Sequence, residues 1–248
     1  MKIAIISDIH ANMPALSVVL EDIARNNVDK IECLGDIATL GPNPREAILA
    51  MRDLQCTYIM GNHEQAMLDP DHASSYGIGN NLDSTLRWSI AQLGTSEISW
   101  IHGITNSNMQ SYENRTCLYH GTPHSTVCGI YPDTPVSQID EWFQCVDESL
   151  VLCAGGHTHV QMFRPHRNRL LINPGSVGCA FVYPSEHGVP PLLAAHAEYA
   201  IVHIDKGGWR VDFKKIAYSL SDLAYDISRV SHPLSSWWNL QFARMGIV

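Results

Sequence analysis

Long apolar runs are absent from this chain of 248 residues: no stretch reaches the roughly 18 uninterrupted apolar residues that a membrane-crossing helix needs. The N-terminus runs directly into Ile3-Ala4-Ile5-Ile6 and then Asp8, too short and too polar for a secretory signal peptide. Positive charge is scarce. Lys and Arg number 16 against 25 Asp and Glu, giving a formal net charge of -9. Proteins that track long nucleic acid by counterion release carry a basic stripe, and none is visible, so polymeric nucleic acid is not the expected partner. A bound cation can still attract a small anion locally, whatever the net charge.

Paired cysteines are missing too. The 7 cysteines (Cys33, Cys56, Cys117, Cys128, Cys145, Cys153 and Cys179) are odd in number, show no C-x-x-C spacing, and mostly sit in apolar runs such as Val151-Leu152-Cys153-Ala154. They read as buried free thiols of a reducing compartment, and the expected location is cytoplasmic. Charged residues are only 17% against 45% hydrophobic, which excludes the composition of a disordered chain. No repeat, low-complexity tract or linker divides the sequence, so residues 1–248 read as one domain.

What is present is an alternation of short β-branched runs and helical patterns. Lys2 to Ser7, Lys30 to Leu34 and Thr57 to Met60 read as buried strands. Between the first two, Pro14 opens a helix whose apolar face is Leu16, Val19, Leu20 and Ile23. Asn43-Pro44-Arg45-Glu46 reads as a second helix start, with Asn43 as N-cap in a capping-box-like pattern. This β-α-β-α-β order argues for parallel strands, whose carboxyl ends are where ligands gather. Further helices are expected near 80–93, 95–102 and 137–145. Strands follow near 114–119, 149–154, 160–164, 169–173, 197–205 and 208–217, with Gly207-Gly208 as a hairpin turn between the last two. Residues 219–248 read as helical. Their Trp237, Trp238 and Phe242 either cover the core or meet a partner, such as a second copy in a homo-oligomer.

Five short motifs end these strands: Asp8-Ile9-His10, Gly35-Asp36, Gly61-Asn62-His63-Glu64, Tyr119-His120-Gly121 and Gly156-His157-Thr158-His159. Asp8-Ile9-His10, Gly35-Asp36 or Gly61-Asn62-His63-Glu64 alone reads as a turn or helix cap, whereas the two imidazoles of Gly156-His157-Thr158-His159 have little structural purpose in a short loop. Together they offer carboxylate, amide oxygen and imidazole ligands, a set that suits Mn, Fe, Zn, Co or Ni rather than calcium. Residues i and i+2 of an extended chain point the same way, so Asp8 with His10, and His157 with His159, are expected to converge. The neighbouring glycines permit sharp turns and close approach. Seven such side chains, one carboxylate bridging, fill two neighbouring metal sites and leave room for water and substrate.

In that order the motifs resemble the signature of the calcineurin-like metallophosphoesterase superfamily: D-x-H, G-D, G-N-H-[DE], H and G-H-x-H. The resemblance runs from Lys2 to about Asp212, and Asn173-Pro174-Gly175-Ser176 is similar to the small single-domain phosphodiesterase branch. It implies an α/β fold, a four-layer αββα sandwich of two mixed β-sheets flanked by helices. It puts Asp8, His10 and His159 on a first metal and Asn62, His120 and His157 on a second, with Asp36 bridging both. His63 then faces substrate, stabilising phosphoryl oxygens or protonating the leaving oxygen. The implied activity is hydrolysis of a small phosphodiester or phosphomonoester by a metal-bridging hydroxide, with two divalent or trivalent ions as cofactors. A nucleotide or dinucleoside-polyphosphate hydrolase is the alternative. The superfamily also holds a non-catalytic trafficking-complex subunit that has lost catalytic residues; here all seven ligands and His63 are present.

The chain departs from the family at named places. The protein-phosphatase branch follows its G-D with x-x-D-R-G, whereas here Ile37-Ala38-Thr39-Leu40-Gly41 follows Asp36 and the phosphate-gripping arginine is missing. Small-phosphodiesterase relatives often carry a tyrosine near Leu40. Asn12 either orients a phosphate or prepares the helix before Pro14, and His124, four residues after His120, is a second candidate substrate contact. Ser176 reads as a loop hydrogen bond rather than a nucleophile. Pro184 to Pro191, with Glu186 and His187, is a longer loop, either solvated or bordering the site.

Overall fold

The computed structural model describes residues 1–104, 109–112, 115–183, 191–205 and 208–247. The first half builds β1 (Lys2–Ile6), α1 (Met13–Asn26), β2 (Lys30–Cys33), α2 (Pro44–Arg52), β3 (Cys56–Tyr58), α3 (Asn62–Leu68), α4 (Asn80–Ala91) and α5 (Thr95–Gly103). The second half adds β4 (Met109–Tyr112), β5 (Thr116–Tyr119), α6 (Val136–Trp142), β6 (Leu152–Ala154), β7 (Met162–His166), β8 (Arg169–Asn173), β9 (Phe181–Tyr183) and β10 (Leu192–Leu193). It closes with β11 (His196–Asp205), β12 (Gly208–Ala217), α7 (Leu220–Arg229) and α8 (Ser235–Arg244). The elements expected from the sequence form within a few residues. β4, β9 and β10 were not expected.

Ten of the strands form two mixed five-stranded sheets, in the orders β12-β11-β1-β2-β3 and β4-β5-β6-β8-β7. Each has a parallel centre: β1, β2 and β3 in one, β5, β6 and β8 in the other. Antiparallel β4 and β7 flank the second trio on both sides, whereas β11 flanks the first on one side and β3 is a sheet edge. β11 pairs with β12 as far as Asp205 opposite Gly208, the intervening residues 206–207 lying outside those described. Pro165 falls in β7, an edge strand, where a missing ladder donor is tolerated.

Side-chain alternation along these strands explains the layers. Ile3 and Ile5 of β1, Leu118 of β5, Leu152 and Ala154 of β6 and Ile172 of β8 form one buried cluster between the sheets. Their neighbours in sequence point the other way. Ala4 and Ile6 join Leu16, Val19, Ile48 and Met51 beneath α1 and α2, while Cys117, Cys153 and Leu171 meet Ile139 of α6. A sheet with two apolar faces must be covered on both, and the αββα sandwich satisfies this.

Two local expectations change. Asn43 precedes α2 as its cap residue but makes no side-chain cap bond; its Nδ2 donates instead to Asp226 of α7 at 3.2 Å. Cys33, Cys117, Cys153 and Cys179 are buried free thiols as expected, whereas Cys128 and Cys145 are exposed. No helix among the described residues is long and apolar enough to cross a membrane.

The C-terminal helices pack on the strand-end loops. Trp238 is fully buried, its ring packs on Phe242, and its indole Nε1 donates to the Leu40 carbonyl at 3.0 Å. Trp238→Ala should therefore lower unfolding free energy by about 3–5 kcal/mol in urea titrations. A loss below about 1 kcal/mol, the scale of an ordinary surface change, would show that α8 is docked without supporting the fold.

Candidate metal centre

The carboxyl ends of the two parallel centres meet across the sandwich, and the five motifs are those ends. Asp8 and His10 follow β1, Asp36 follows β2, Asn62 and His63 open α3 after β3, His120 follows β5, and His157 and His159 follow β6. The sheets are stitched here by the His120 ring, whose Nδ1 donates to the Leu34 carbonyl at 2.6 Å, and by the His157 amide, which donates to Asp8 Oδ2 at 3.0 Å.

The convergence of Asp8 with His10 does not come from extended chain. Asp8, His10, Asp36, His157 and His159 all have positive φ, at 55°, 47°, 57°, 66° and 57°. Non-glycine residues resist this left-handed region by roughly 1 kcal/mol or more each, so the surroundings must impose it. For Asp36 the clamp is visible. Glu64 is fully buried and its carboxylate accepts from the backbone amides of Asp36 (2.7 Å), Ile37 (2.7 Å) and Gly61 (3.0 Å). Gly61 is required as well, because a Cβ there would lie 2.1 Å from Asp36 Oδ1. On the other sheet, Asn173 Nδ2 donates to the Gly156 carbonyl (2.7 Å) and to Thr158 Oγ1 (3.0 Å), fixing the G-H-x-H loop. Ser176 donates to the Asp8 carbonyl at 2.7 Å and accepts from the Cys179 amide at 2.8 Å, a loop hydrogen bond as read from sequence.

Two groups of ligand atoms result. Asp8, His10 and His159 form one, and Asp36, His120 and His157 the other. His157 and His159 thus diverge rather than converge, one to each group. Asn62 belongs with the second, its Oδ1 lying 3.0 Å from His120 Nε2 and 3.2 Å from His157 Nδ1. Asp36 Oδ2 stands between the groups, 3.4 Å from His120 Nε2 and 3.9 Å from both His10 Nε2 and His63 Nε2. His10, Asp36 and His63 are themselves close enough to share an ion.

These donors fit cations. His10 Nε2 and His159 Nε2 face each other at 3.0 Å, and Asp8 Oδ1, buried 3.3 Å from His159 Nε2, has no properly oriented hydrogen-bond partner among the described residues. The ring nitrogens pointing away are occupied, His120 Nδ1 by Leu34 and His159 Nδ1 by the Cys179 carbonyl at 2.8 Å, which leaves each Nε2 lone pair free to ligate. Thr39 orders a third pair. Thr39 Oγ1 lies 3.4 Å from His10 Nδ1 and 2.8 Å from His63 Nδ1, and its single hydroxyl proton can be donated to only one of them. Ligation through His10 Nε2 would put that ring's proton on Nδ1, turn the Thr39 hydroxyl to His63 Nδ1 and leave the His63 proton on Nε2, facing the Asp36 side.

Without cations, protons balance the carboxylates. Burial pushes Asp8 up, but His159 beside it prevails and holds the carboxyl down at about 2. Burial opposes a charge on His120, yet the Asp36 carboxylate raises it to about 10; Asp8 raises His159 in the same way. Burial keeps His10 and His63 low, and lowers His157 to about 4. Glu64 is pushed up to about 7 by burial and then by the Asp36 charge.

Asn12 and His124 are the two substrate-contact candidates. Asn12 is fully buried and caps α1: its Oδ1 accepts from the Ala15 amide at 3.1 Å and its Nδ2 donates to the Gly178 carbonyl at 2.9 Å. Of its two sequence readings, helix preparation is the one its amide is spent on. His124 is exposed, with Nε2 3.3 Å from Cys145 Sγ, and joins none of the ligand groups. Residues 184–190, including Glu186 and His187, lie outside those described. Thr39, Glu64 and Asn173 were not given their positioning roles from sequence, although Glu64 was within reach as the fourth residue of its motif.

Ligation requires an unprotonated imidazole. With His120 at about 10, uptake of Mn or Zn at pH 7 should release at least one proton per chain, and affinity should rise with pH up to that range. Calorimetry in two buffers of different ionisation enthalpy reads the release directly. Uptake with no proton released would remove His120 from the ligand set.

Comparison with known proteins agrees with this geometry. The chain is 26% identical over 246 residues to an uncharacterized protein of Methanocaldococcus jannaschii, covering 95% of this chain and 94% of that protein. It superposes on the crystal structure of a metallophosphoesterase from Sphaerobacter thermophilus with a TM-score of 0.74 and 27% identity, covering 98% and 99% of the two chains. A protein of Pyrococcus horikoshii shares the fold, with a TM-score of 0.75 at 20% identity and coverage of 96% and 97%. Residues 1–207, which supply every ligand group above, match the calcineurin-like phosphoesterase superfamily domain, and the chain therefore belongs to that superfamily.

Proposed function

We propose that this protein hydrolyses a small phosphodiester or phosphomonoester with two metal ions, Asp36 shared between them. The supporting observation is the place of Asp36 Oδ2, which faces histidines of both ligand groups within 3.9 Å. Asp8, His10 and His159 would hold one ion, and Asn62, His120 and His157 the other. The chemistry that such ions supply when bound is Lewis acidity toward phosphoryl oxygens and activation of water near neutral pH. Mn, Fe, Zn, Co and Ni all suit the mixed oxygen and imidazole donors.

The chain's own residues do the rest. Glu64 and Gly61 hold Asp36 in its left-handed conformation. His63 presents an Nε2–H beside the Asp36 carboxylate, and burial disfavours its imidazolium. A neutral Nε2–H suits hydrogen bonding to a phosphoryl oxygen; protonating a poor leaving group takes the imidazolium, which an approaching phosphate anion favours. Asp36 is followed by Ile37-Ala38-Thr39-Leu40, uncharged and turned to packing or to the histidines, so no arginine from that segment grips a dianion. A phosphopeptide monoester profits most from such a grip. The substrate expected is therefore small, with a diester or simple monoester preferred.

Asp36→Ala should lose both ions together in elemental analysis; retention of two would remove the shared carboxylate. His63→Ala should keep its metal content and lose about 100- to 10,000-fold in turnover, less on substrates with a good leaving group. Loss of metal instead would make His63 a ligand, as its closeness to His10 and Asp36 allows. Turnover with added Mn on a bis-aryl phosphate, an aryl monophosphate, a dinucleoside polyphosphate and a phosphopeptide tests the class. Hydrolysis confined to the phosphopeptide would overturn the small-ester reading, and hydrolysis confined to the polyphosphate would favour an anhydride hydrolase.

A further inference from the structure

We infer that an apolar cavity beside His159 is the subsite for an uncharged, planar aromatic group of the phosphoester. This rests on the phosphoesterase reading above and names the class of substrate. The cavity, about 230 Å³, is lined by Leu40, Leu82, Phe181, Leu234 and Trp237, with His159 in its wall. His159 is also a member of the first ligand group, so a phosphoryl group held there has its organic substituent at the cavity mouth. A larger cavity of about 370 Å³, lined by Arg45, Asp226 and Arg229, contains none of the site residues.

Size and chemistry select the occupant. A cavity near 150 Å³ accepts benzene, whereas drug-sized ligands need roughly 300–1,000 Å³. At about 230 Å³ there is room for one mono- or bicyclic ring system. None of the lining residues is Asp, Glu, Lys or Arg, so a second phosphate or a charged tail is disfavoured there. Asn81, an exposed amide among the lining residues, offers a donor and an acceptor to a ring heteroatom. Phe181 stacks on His159 with centroids 4.8 Å apart and planes 17° apart, and both Phe181 and Trp237 are only half-buried. Two aromatic surfaces left partly open around one gap favour a flat guest.

The cavity walls are held in place. Gln241 of α8 is fully buried; its Oε1 accepts from the Leu193 amide at 3.2 Å and its Nε2 donates to the Pro191 carbonyl at 3.1 Å. Trp238 grips the Leu40 carbonyl at 3.0 Å, and the Trp237 ring abuts Trp238 edge-on at 4.9 Å. Thus α8 holds two lining residues, Leu40 and Pro191, through side-chain hydrogen bonds while Trp237 lines the gap itself. Both α7 and α8 lie beyond the 1–207 stretch that the superfamily domain matches, so this wall is built by chain outside the stretch that supplies the ligand groups.

Titration calorimetry of the full chain, with and without Mn, tests the assignment using non-hydrolysable phosphonates. Phenylphosphonate, or the phosphonate analogue of adenosine 5′-monophosphate, should bind the Mn-loaded protein about tenfold tighter than methylphosphonate. The tighter of the two distinguishes a simple aryl group from a nucleobase. Trp237→Ala should erase the preference and Trp237→Phe should keep most of it; Leu82→Phe, filling the gap from another lining position, should also erase it. Equal Mn-dependent binding of all three phosphonates, or a preference that survives Trp237→Ala and Leu82→Phe, would overturn the subsite while leaving the phosphoesterase reading intact. Absence of Mn-dependent binding by any phosphonate would overturn that reading and the subsite with it.

Discussion

Two carboxylates, Asp8 and Asp36, are buried where the strand ends of two sheets meet, and every feature around them answers that charge. A carboxylate taken out of water costs several kcal/mol unless cations and hydrogen bonds compensate it. In the protein without metal, the compensation is a proton on His120, drawn by Asp36, and one favoured on His159, drawn by Asp8. The same histidines present their Nε2 atoms toward the carboxylates and their Nδ1 atoms to backbone carbonyls. The site is therefore poised to exchange protons for cations with little movement of its rings. Such preorganisation is what an electrostatic catalyst requires.

The backbone bears the cost of this arrangement. Five of the motif residues sit at positive φ, which brings short side chains from tight turns onto one point. Hydrogen bonds that few sequence patterns reveal hold those turns: Glu64 beneath Asp36, Asn173 beneath the Gly156–His159 loop, and Ser176 beneath Asp8. Because the parallel strands of both sheets end at the same edge, the turns of six strands can contribute to one site. A single sheet of this width would place β3 and β6 too far apart for Asn62 and His157 to meet.

What could be read from the sequence follows the same physics. The motifs were legible because each ends an apolar, β-branched run and carries residues with little structural purpose there. The sandwich followed from the resemblance those motifs carry, and strand alternation accounts for it, with Ile5 facing the second sheet and Ile6 facing α1. β4 escaped notice because Met109-Gln110-Ser111-Tyr112 lacks the apolar pattern, and β10 because two residues make no pattern at all. The split of His157 and His159 between groups was illegible from spacing alone, since i and i+2 converge in extended chain but diverge through left-handed turns. Ligand-orienting carbonyls such as those of Leu34 and Cys179 leave no sequence trace, because any residue supplies a carbonyl. Asn12 and Asn43 show how context decides the outcome. Both precede a helix, yet only Asn12 caps with its side chain; Asn43 gives its Nδ2 to Asp226 of α7 and its Oδ1 has no hydrogen-bond partner among the described residues.

The C-terminal segment completes the division of labour. Residues 219–248 offered two readings, a cover for the core or a partner surface, and α8 covers the loops that carry the site. Trp238 and Phe242 bury themselves against Cys179 and Leu193, while Trp237 stays half-buried at the cavity beside His159. On the proposed function and subsite, reactivity and selectivity reside in different chemistry. The polar strand ends, rigid and charge-balanced, can treat any phosphoryl group alike, whereas apolar contacts from α8 discriminate only by the shape of what is attached to it. A change on the exposed face of Trp237 can then alter what the protein accepts without touching a ligand-bearing turn, because Trp238 and Gln241, one and four residues on, carry the hydrogen bonds that hold the helix.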